Sequence, residues 1–346
     1  MANARWGEEG RDVMSTTVSR RRFLEGAGTT GLALGAGIIG APNLAFGAQP
    51  TTLKTATLAG GWSNLQNRVL FANKFDEKHG LKFDSFRVYN RLGTYYADFL
   101  KGNFQIGIGT WDSFAKMHMK GAPIQIIGIV STGTLAGIFA RKDGPNSLEE
   151  LKGKTVAAMQ VSGTFKMTKT WAKVFAGIDF DKHLRIQNAP NPPATISIVA
   201  ADRADAAIVW EHALSTGLHK IPGSKVFLNV NEFYRSHTGR DQPYFCVAIN
   251  REALGDVPKD TIERAVRVYT DSFEWIMGNP ADFQALGPSV RIKSEILKTA
   301  MDSGRMQFKM RPMSIDKNRE DVHFAAEIMR KAGALPKKLP DSYFAA

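Results

Sequence analysis

From residue 52 onward, short runs of β-branched and apolar residues alternate with longer stretches whose apolar positions recur every three or four residues. Residues 52–58 form the first such run, a strand by its length and β-branching. Residues 64–79 then carry Leu65, Val69, Ala72 and Phe75 at helical spacing, and Gly80 is placed to terminate that helix. The same alternation predicts strands at 81–88, 104–109 and 124–130, and helices at 94–101 and 112–120. A second set follows. Ser147 and Glu150 have capping-box spacing at the start of a one-turn helix ending at Leu151. Strands are predicted at 155–159, 184–187, 206–209 and 244–249, and helices at 163–175, 193–201, 261–277 and 319–331. Strand alternating with helix argues for open, largely parallel sheets covered on both faces by helices, an α/β fold.

The two sets echo each other. Phe99 to Ser113 reads FLKGNFQIGIGTWDS, and Val199 to Ala213 reads VAADRADAAIVWEHA. Each is a helix end, a small polar turn, a buried strand, then Trp beside an acid. Trp111-Asp112 and Trp210-Glu211 therefore fall at carboxyl ends of strands, where open α/β sheets bind ligands.

The first fifty residues have a different grammar. Ser19-Arg20-Arg21-Arg22-Phe23-Leu24-Glu25 is followed by an uncharged Gly/Ala-rich stretch over 26–39 and small residues at Ala45-Phe46-Gly47-Ala48. A positive region, an apolar region and a small-residue site in this order make a secretory signal. The arginine pair before Phe and Leu resembles the twin-arginine export signal, with Glu25 where Lys is common. Gly at 26, 28, 31, 35, 37 and 40 argues against a structural helix, at about 1 kcal/mol each. Cleavage after Gly47 is expected to leave 299 of the 346 residues.

Composition narrows the function classes. Apolar content of 43% with 23% charged residues excludes disorder and a polytopic membrane protein. Cys246 is the only cysteine, which excludes a disulfide framework, a four-thiolate iron–sulfur cluster and cysteine zinc fingers. The +12 charge, with 45 Lys+Arg against 33 Asp+Glu, first suggests a polyanion partner. No run of five basic residues occurs after residue 47, and export removes the chain from most nucleic acid, so nucleic-acid binding is not expected.

Four further motifs carry a family resemblance: Gly60-Gly61-Trp62-Ser63 after the first strand, the turn Gly102-Asn103-Phe104-Gln105, Lys120-Gly121-Ala122-Pro123, and SLEELKGKTV from Ser147 to Val156. Asp202-Arg203-Ala204-Asp205-Ala206 repeats the earlier turn. In this order they resemble the periplasmic solute-binding proteins of bacterial ABC importers for nitrate, sulfonates and taurine, a group that includes thiamine-pyrimidine-precursor proteins. Two motifs depart from the family pattern: Gln105 stands for Asp and Asp202 for Gly. The resemblance implies a two-lobed, type II-like binding protein, each lobe a βα sheet with helices on both faces and the ligand cleft between them. The expected division is a signal over 1–47, one lobe from 48–140 plus 243–346, and a second from 141–242. It further implies a small-molecule solute, an inner-membrane ABC permease as partner, the twin-arginine translocase during export, a periplasmic location, a monomer, and no cofactor, metal or catalytic residue.

A binding site of this kind needs donors and dipoles in a concavity, without a nucleophile. Gly61 and Ser63 precede one helix; Ser162, Gly163 and Thr164 precede another, where free amides attract an anionic head. The alternative role for Ser162 and Thr164 is that of plain caps. Asn90 and Arg91, before the helix containing Thr94, offer charged donors or a surface charge. Trp62, Trp111 and Trp210 would flank an apolar body or pack the lobes together. Asp112 and Glu211 would favour an amine on the ligand or serve as helix N-terminal carboxylates. Thr110 and Thr132, at strand ends, complete the candidate shell. A pyrimidine-precursor synthase would need a cysteine-rich iron motif that one cysteine cannot supply, and the seven histidines include no HExxH pair. A sensory module remains the other alternative, since importers and receptors use the same closing lobes.

Overall fold

The computed structural model describes residues 16–19 and 51–345. Of the span 1–47 expected to be an export signal, residues 16–19 form strand β1 and the rest lies outside the described residues. The strands in chain order are β1 Thr16–Ser19, β2 Thr51–Leu58, β3 Leu81–Tyr89, β4 Ile106–Thr110, β5 Ile124–Ile129, β6 Ala136–Ala140, β7 Thr155–Ala158, β8 Arg185–Asn188, β9 Ala206–Trp210, β10 Lys225–Asn229, β11 Phe245–Asn250 and β12 Arg311–Pro312. They form a seven-stranded sheet, β1-β3-β2-β4-β11-β5-β12, and a five-stranded sheet, β10-β6-β9-β7-β8. Each sheet with its helices is one lobe.

The sheets are mixed, where the alternation predicted mainly parallel pairing. β2 pairs parallel with β3 and β4, and β7 with β8 and β9. β11 runs antiparallel to β4 and β5, and β6 antiparallel to β9 and β10. These two strands are the ones by which the chain arrives from the other lobe. A strand entering at the edge where its neighbours leave must run against them. The first crossing occupies residues 130–135, because Ala136–Ala140 already belongs to the second sheet, and not to the first as the boundary at Ala140 required. The return follows helix Val230–Thr238 and ends at Phe245.

Local sequence explains most boundaries. Helix Gly163–Ala176 begins with the Ser162 hydroxyl accepting from the Phe165 amide and ends at Gly177, whose φ of 69° suits glycine. Asn191 caps helix Pro192–Ala200 through the Ala194 amide at 2.9 Å, with proline in its first turn. The continuous helix expected at 64–79 is broken into Trp62–Ala72 and Phe75–Lys78. Asn73 returns its side-chain amide to the Val69 carbonyl, Lys74 takes φ 52°, and Asp76 accepts from the Phe83 amide at 2.6 Å, which fixes the turn into β3. At Ser147 the box is only half formed. Its hydroxyl accepts from the Glu150 amide, but Glu150 reaches Asn146 instead of Ser147. Strands β6 and β10 and helices Ala213–Lys220 and Val230–Thr238 had no predicted counterpart.

The core of the first lobe is built by helical spacing. Ala265, Val268, Tyr269, Phe273 and Ile276 of helix Thr261–Gly278 share one buried core with Leu65, Val69 and Leu70 of helix Trp62–Ala72, and the two helices meet at Trp62–Phe273 and Gln66–Ser272. Each large apolar side chain so buried contributes about 1.5–3 kcal/mol. The carboxyl ends of β2 and β4 approach the second lobe, Gly60 at Pro193 and Thr110 at Gly163.

Candidate ligand-binding site

An aromatic wall joins the lobes. Helix Trp62–Ala72 opens after Gly61, and the Ser63 hydroxyl bonds that of Thr57 at 2.6 Å. Trp62 is 2% exposed and packs edge-on against Phe245 at 5.3 Å and over Phe308 at 4.6 Å. Trp210, 6% exposed at the end of β9, meets the same Phe245 at 6.2 Å. Phe245 begins the returning strand, so one ring on the crossing is bracketed by a tryptophan from each lobe. Gly60 takes φ 67°, and a side chain there would reach Pro193 of the other lobe at 3.5 Å.

A polar seam lies where Gly163 is packed so closely to Thr110 and Asp112 that a Cβ on it would overlap both. Thr110 donates to Ser113 at 3.0 Å. Asp112 is fully buried and neither carboxylate oxygen has a hydrogen-bond partner; Lys116 Nζ stands 3.9 Å away. Ser162 donates to the Met159 carbonyl at 2.7 Å while capping its helix. Thr164 and Tyr244 share a hydroxyl contact of 2.5 Å, and burial holds the Tyr244 phenol far above its ordinary pKa. Thr132 bonds Thr134 at 2.9 Å and bridges to Pro243, within the paired crossings.

Trp111 and Glu211 are engaged by the protein itself. The Trp111 indole donates to the Pro243 carbonyl at 2.8 Å, and its own carbonyl accepts from Tyr343 at 2.6 Å. Glu211 accepts from the Ser215 amide and hydroxyl, each at 3.0 Å, and from Arg305 Nε at 2.5 Å. Burial raises the Glu211 pKa above the usual carboxylate range, against the pull of Arg305. Its neighbour His212 is pushed down to about 4 by burial.

Beside Gly60 an open pocket of about 640 Å³ is lined by both lobes. Asn64 and Arg68 come from helix Trp62–Ala72, His212 and Thr216 from the second lobe, and Arg291 and Lys293 from the segment before helix Ser294–Asp302. Burial lowers the Arg68 pKa. Among the described residues no carboxylate lines this pocket, so its field is positive.

Residues 93–283 match the family model described as NMT1/THI5 like. The chain belongs to the NMT1/THI5-like family. Its fold is that of the two-lobed periplasmic binding proteins. It is similar to the periplasmic aliphatic sulphonate binding protein SsuA from Escherichia coli, at 14% identity and TM-score 0.66 over 84% of this chain and 95% of that one. The alkanesulfonate-binding protein SsuA from Xanthomonas axonopodis pv. citri, bound to MOPS, gives 13% identity and TM-score 0.67 over 84% and 96%. The ligand binding component of an ABC-type import system from Staphylococcus aureus gives 13% and 0.65 over 85% and 96%. No curated protein matches the chain.

In this NMT1/THI5-like chain the sequence-predicted residues divide into three groups. Gly61, Trp62, Ser63, Thr110, Asp112, Ser162, Gly163, Thr164 and Trp210 converge around the aromatic wall and the polar seam. Trp111, Thr132 and Glu211 lie next to them, bonded to crossing or neighbouring residues. Asn90, Arg91 and Thr94 are exposed at the start of helix Leu92–Leu100. Sequence reasoning missed Asn64, Arg68, His212, Thr216 and Arg291. Asn64 and Arg68 were accessible in principle, since they stand on one face of the helix that the Gly60-Gly61 loop opens. Arg291 had no local signal.

Proposed function

We propose that this protein is the extracytoplasmic solute-binding component of an ABC importer and that its solute is a small organic anion, a sulfonate or carboxylate. The observation that carries this reading is the two-lobed pocket with cationic lining and no lining carboxylate. Arg291 offers forked donors to the anionic head, with the positive charge of Arg68 on the same lining. His212 is neutral near pH 7 and adds a donor or acceptor without a charge. Val88, Pro193, Val290 and Ile296 line the same pocket and provide apolar surface for the body of the solute. With Glu211 paired to Arg305, the case for an amine on the solute loses one of its two supports.

In this reading the chain is delivered to the periplasm by the twin-arginine route and cut near Gly47, and it hands its solute to an inner-membrane permease without turnover. The lobes comprise residues 48–135 with 243–346, and 136–242. A thermal-shift screen of sulfonates, carboxylates and cationic amines tests the proposal. An anion at 100 times its dissociation constant should stabilise the protein by about 2.7 kcal/mol. Arg291→Ala should weaken the best hit about ten-fold, which corresponds to ~1.4 kcal/mol of lost contact. Conversion of a hit without stoichiometric binding, or a response confined to cations, refutes it.

A further inference from the structure

A second cavity, about 340 Å³, shares no lining residue with the solute pocket. Lys116 reaches it from helix Trp111–Met119 of the first lobe. Lys166, Lys169 and Lys173 reach it from helix Gly163–Ala176 of the second, at spacings of three and four that put them on one helical face. The turn at Ala332–Ala334 closes one side, and its amides are already bonded within the end of the last helix. We propose that this cavity is a second anion site, taking a small doubly charged oxyanion, inorganic phosphate or sulfate or a monoester of either, that ties the two lobes together.

The chemistry follows from the donors. Each ammonium has three N–H groups, and most are unused. Lys166 donates to the Val161 carbonyl at 2.8 Å, Lys173 stands 3.0 Å from Asp179, Lys169 pairs with Asp181, and Lys116 stands 3.9 Å from Asp112. Four ammonium groups thus face one lining carboxylate, Asp181, with Asp112 and Asp179 each beside one of them. Thr170 spends its hydroxyl proton on the Lys166 carbonyl, so the free donors are the ammonium groups alone. Lys166 is short of hydration: burial lowers its pKa, Asp112 opposes this, and the like charge of Lys116 adds to it. A tetrahedral dianion offers acceptors in several directions and relieves the repulsion between ammonium groups on different lobes. Because the donors come from both lobes, an anion held by all of them favours the arrangement in which the lobes are together. The cavity is too small for a folded partner and falls near the lower end of small-ligand sites, about 300–1,000 Å³.

The test uses the full mature protein and inorganic phosphate, with chloride at matched ionic strength as the reference. Phosphate is expected to raise the unfolding midpoint above the chloride reference, and the double variant Lys116→Gln/Lys166→Gln should lose at least nine-tenths of that rise. Line broadening of the phosphorus resonance of inorganic phosphate, read on the native protein and the double variant, gives the same comparison without unfolding. The response to the best organic anion should survive in the double variant, which separates this site from the solute pocket. An undiminished phosphate response in that variant overturns the proposal, as does a wild type that responds no more than to chloride. Loss of the phosphate response in Arg291→Ala instead would assign the ion to the solute pocket. Co-sedimentation with phosphatidic-acid vesicles and no response to free phosphate would overturn the small-anion reading in favour of a lipid headgroup.

Discussion

The buried pair between Glu211 and Arg305 gives the most direct stability prediction. Arg305→Met keeps the aliphatic stem and removes the guanidinium that donates to Glu211 at 2.5 Å and to Ser215 at 3.2 Å. Glu211 is fully buried, so its carboxylate cannot recover the lost partner from water. Two unit charges about 3 Å apart attract by roughly 5 kcal/mol at an effective dielectric of about 20. Arg305 is itself 16% exposed and regains hydration when the pair is broken, which discounts that figure. Breaking a buried pair from one side costs about 3–5 kcal/mol, and the lower end applies here because Ser215 still donates twice. A loss of about 3 kcal/mol should appear in urea unfolding at pH 7.5 and as a midpoint lower by roughly 6–12 °C.

The pH dependence has a definite sign. Burial raises the folded pKa of Glu211 above its unfolded value, so the carboxyl favours folding while protonated and loses that contribution as the pH rises through the folded pKa. Removing Arg305 takes away the chief opposing influence and moves that pKa further up. The deficit of Arg305→Met should therefore shrink as the pH is lowered from 7.5 toward 4.5. Glu211→Gln/Arg305→Met should recover to within about 1 kcal/mol of wild type, because no unpaired charge is left. An equal deficit at both pH values, or a double variant no better than the single one, refutes the reasoning.

Two further outcomes follow from the same geometry. Gly163→Ala places a methyl group where Thr110 and Asp112 already stand, so it should hold the lobes apart; small-angle scattering should give a larger radius of gyration than wild type, and an unchanged radius contradicts the close approach. His212 has a folded pKa depressed to about 4 against an ordinary 6.5, so its contribution to stability is complete above about pH 6.5 and is lost progressively down to about 4. His212→Gln should flatten the urea-midpoint profile over that interval, and a profile parallel to wild type counts against a neutral buried imidazole.

Much of the first-order architecture was legible in the chain. Period-two and period-3.6 patterns located most strands and long helices, because burial on one face imposes those periods. The strand-end tryptophans were legible for the same reason: a buried strand followed by a helix start has few places to end. The missed elements are equally instructive. β6, Ala136–Ala140, is wholly buried and carries no alternation, while β10, Lys225–Asn229, is half-buried throughout and shows no contrast between faces. The break at Asn73-Lys74 depended on Asp76 finding the Phe83 amide, a contact made across the turn into β3. Thr94 and its neighbours Asn90 and Arg91 looked equivalent to Ser162 and Thr164 by position, yet the former stand exposed whereas Thr164 is buried against Tyr244 of the opposite lobe.

By itself, then, the sequence determined the α/β alternation, the order of the motifs, the single cysteine and the loops that leave the strand ends. Those properties are local, or count residues, and need no partner to be expressed. The tertiary structure alone decided that β6 and β11 run against their neighbours, that Glu211 is spent on Arg305 while Asp112 is left without a hydrogen bond, and that Arg68 and Arg291 share one pocket. Each of these depends on which groups from distant segments meet after two sheets close on each other. Burial and pairing set the charge state and availability of a side chain, and neither is encoded in its neighbours along the chain.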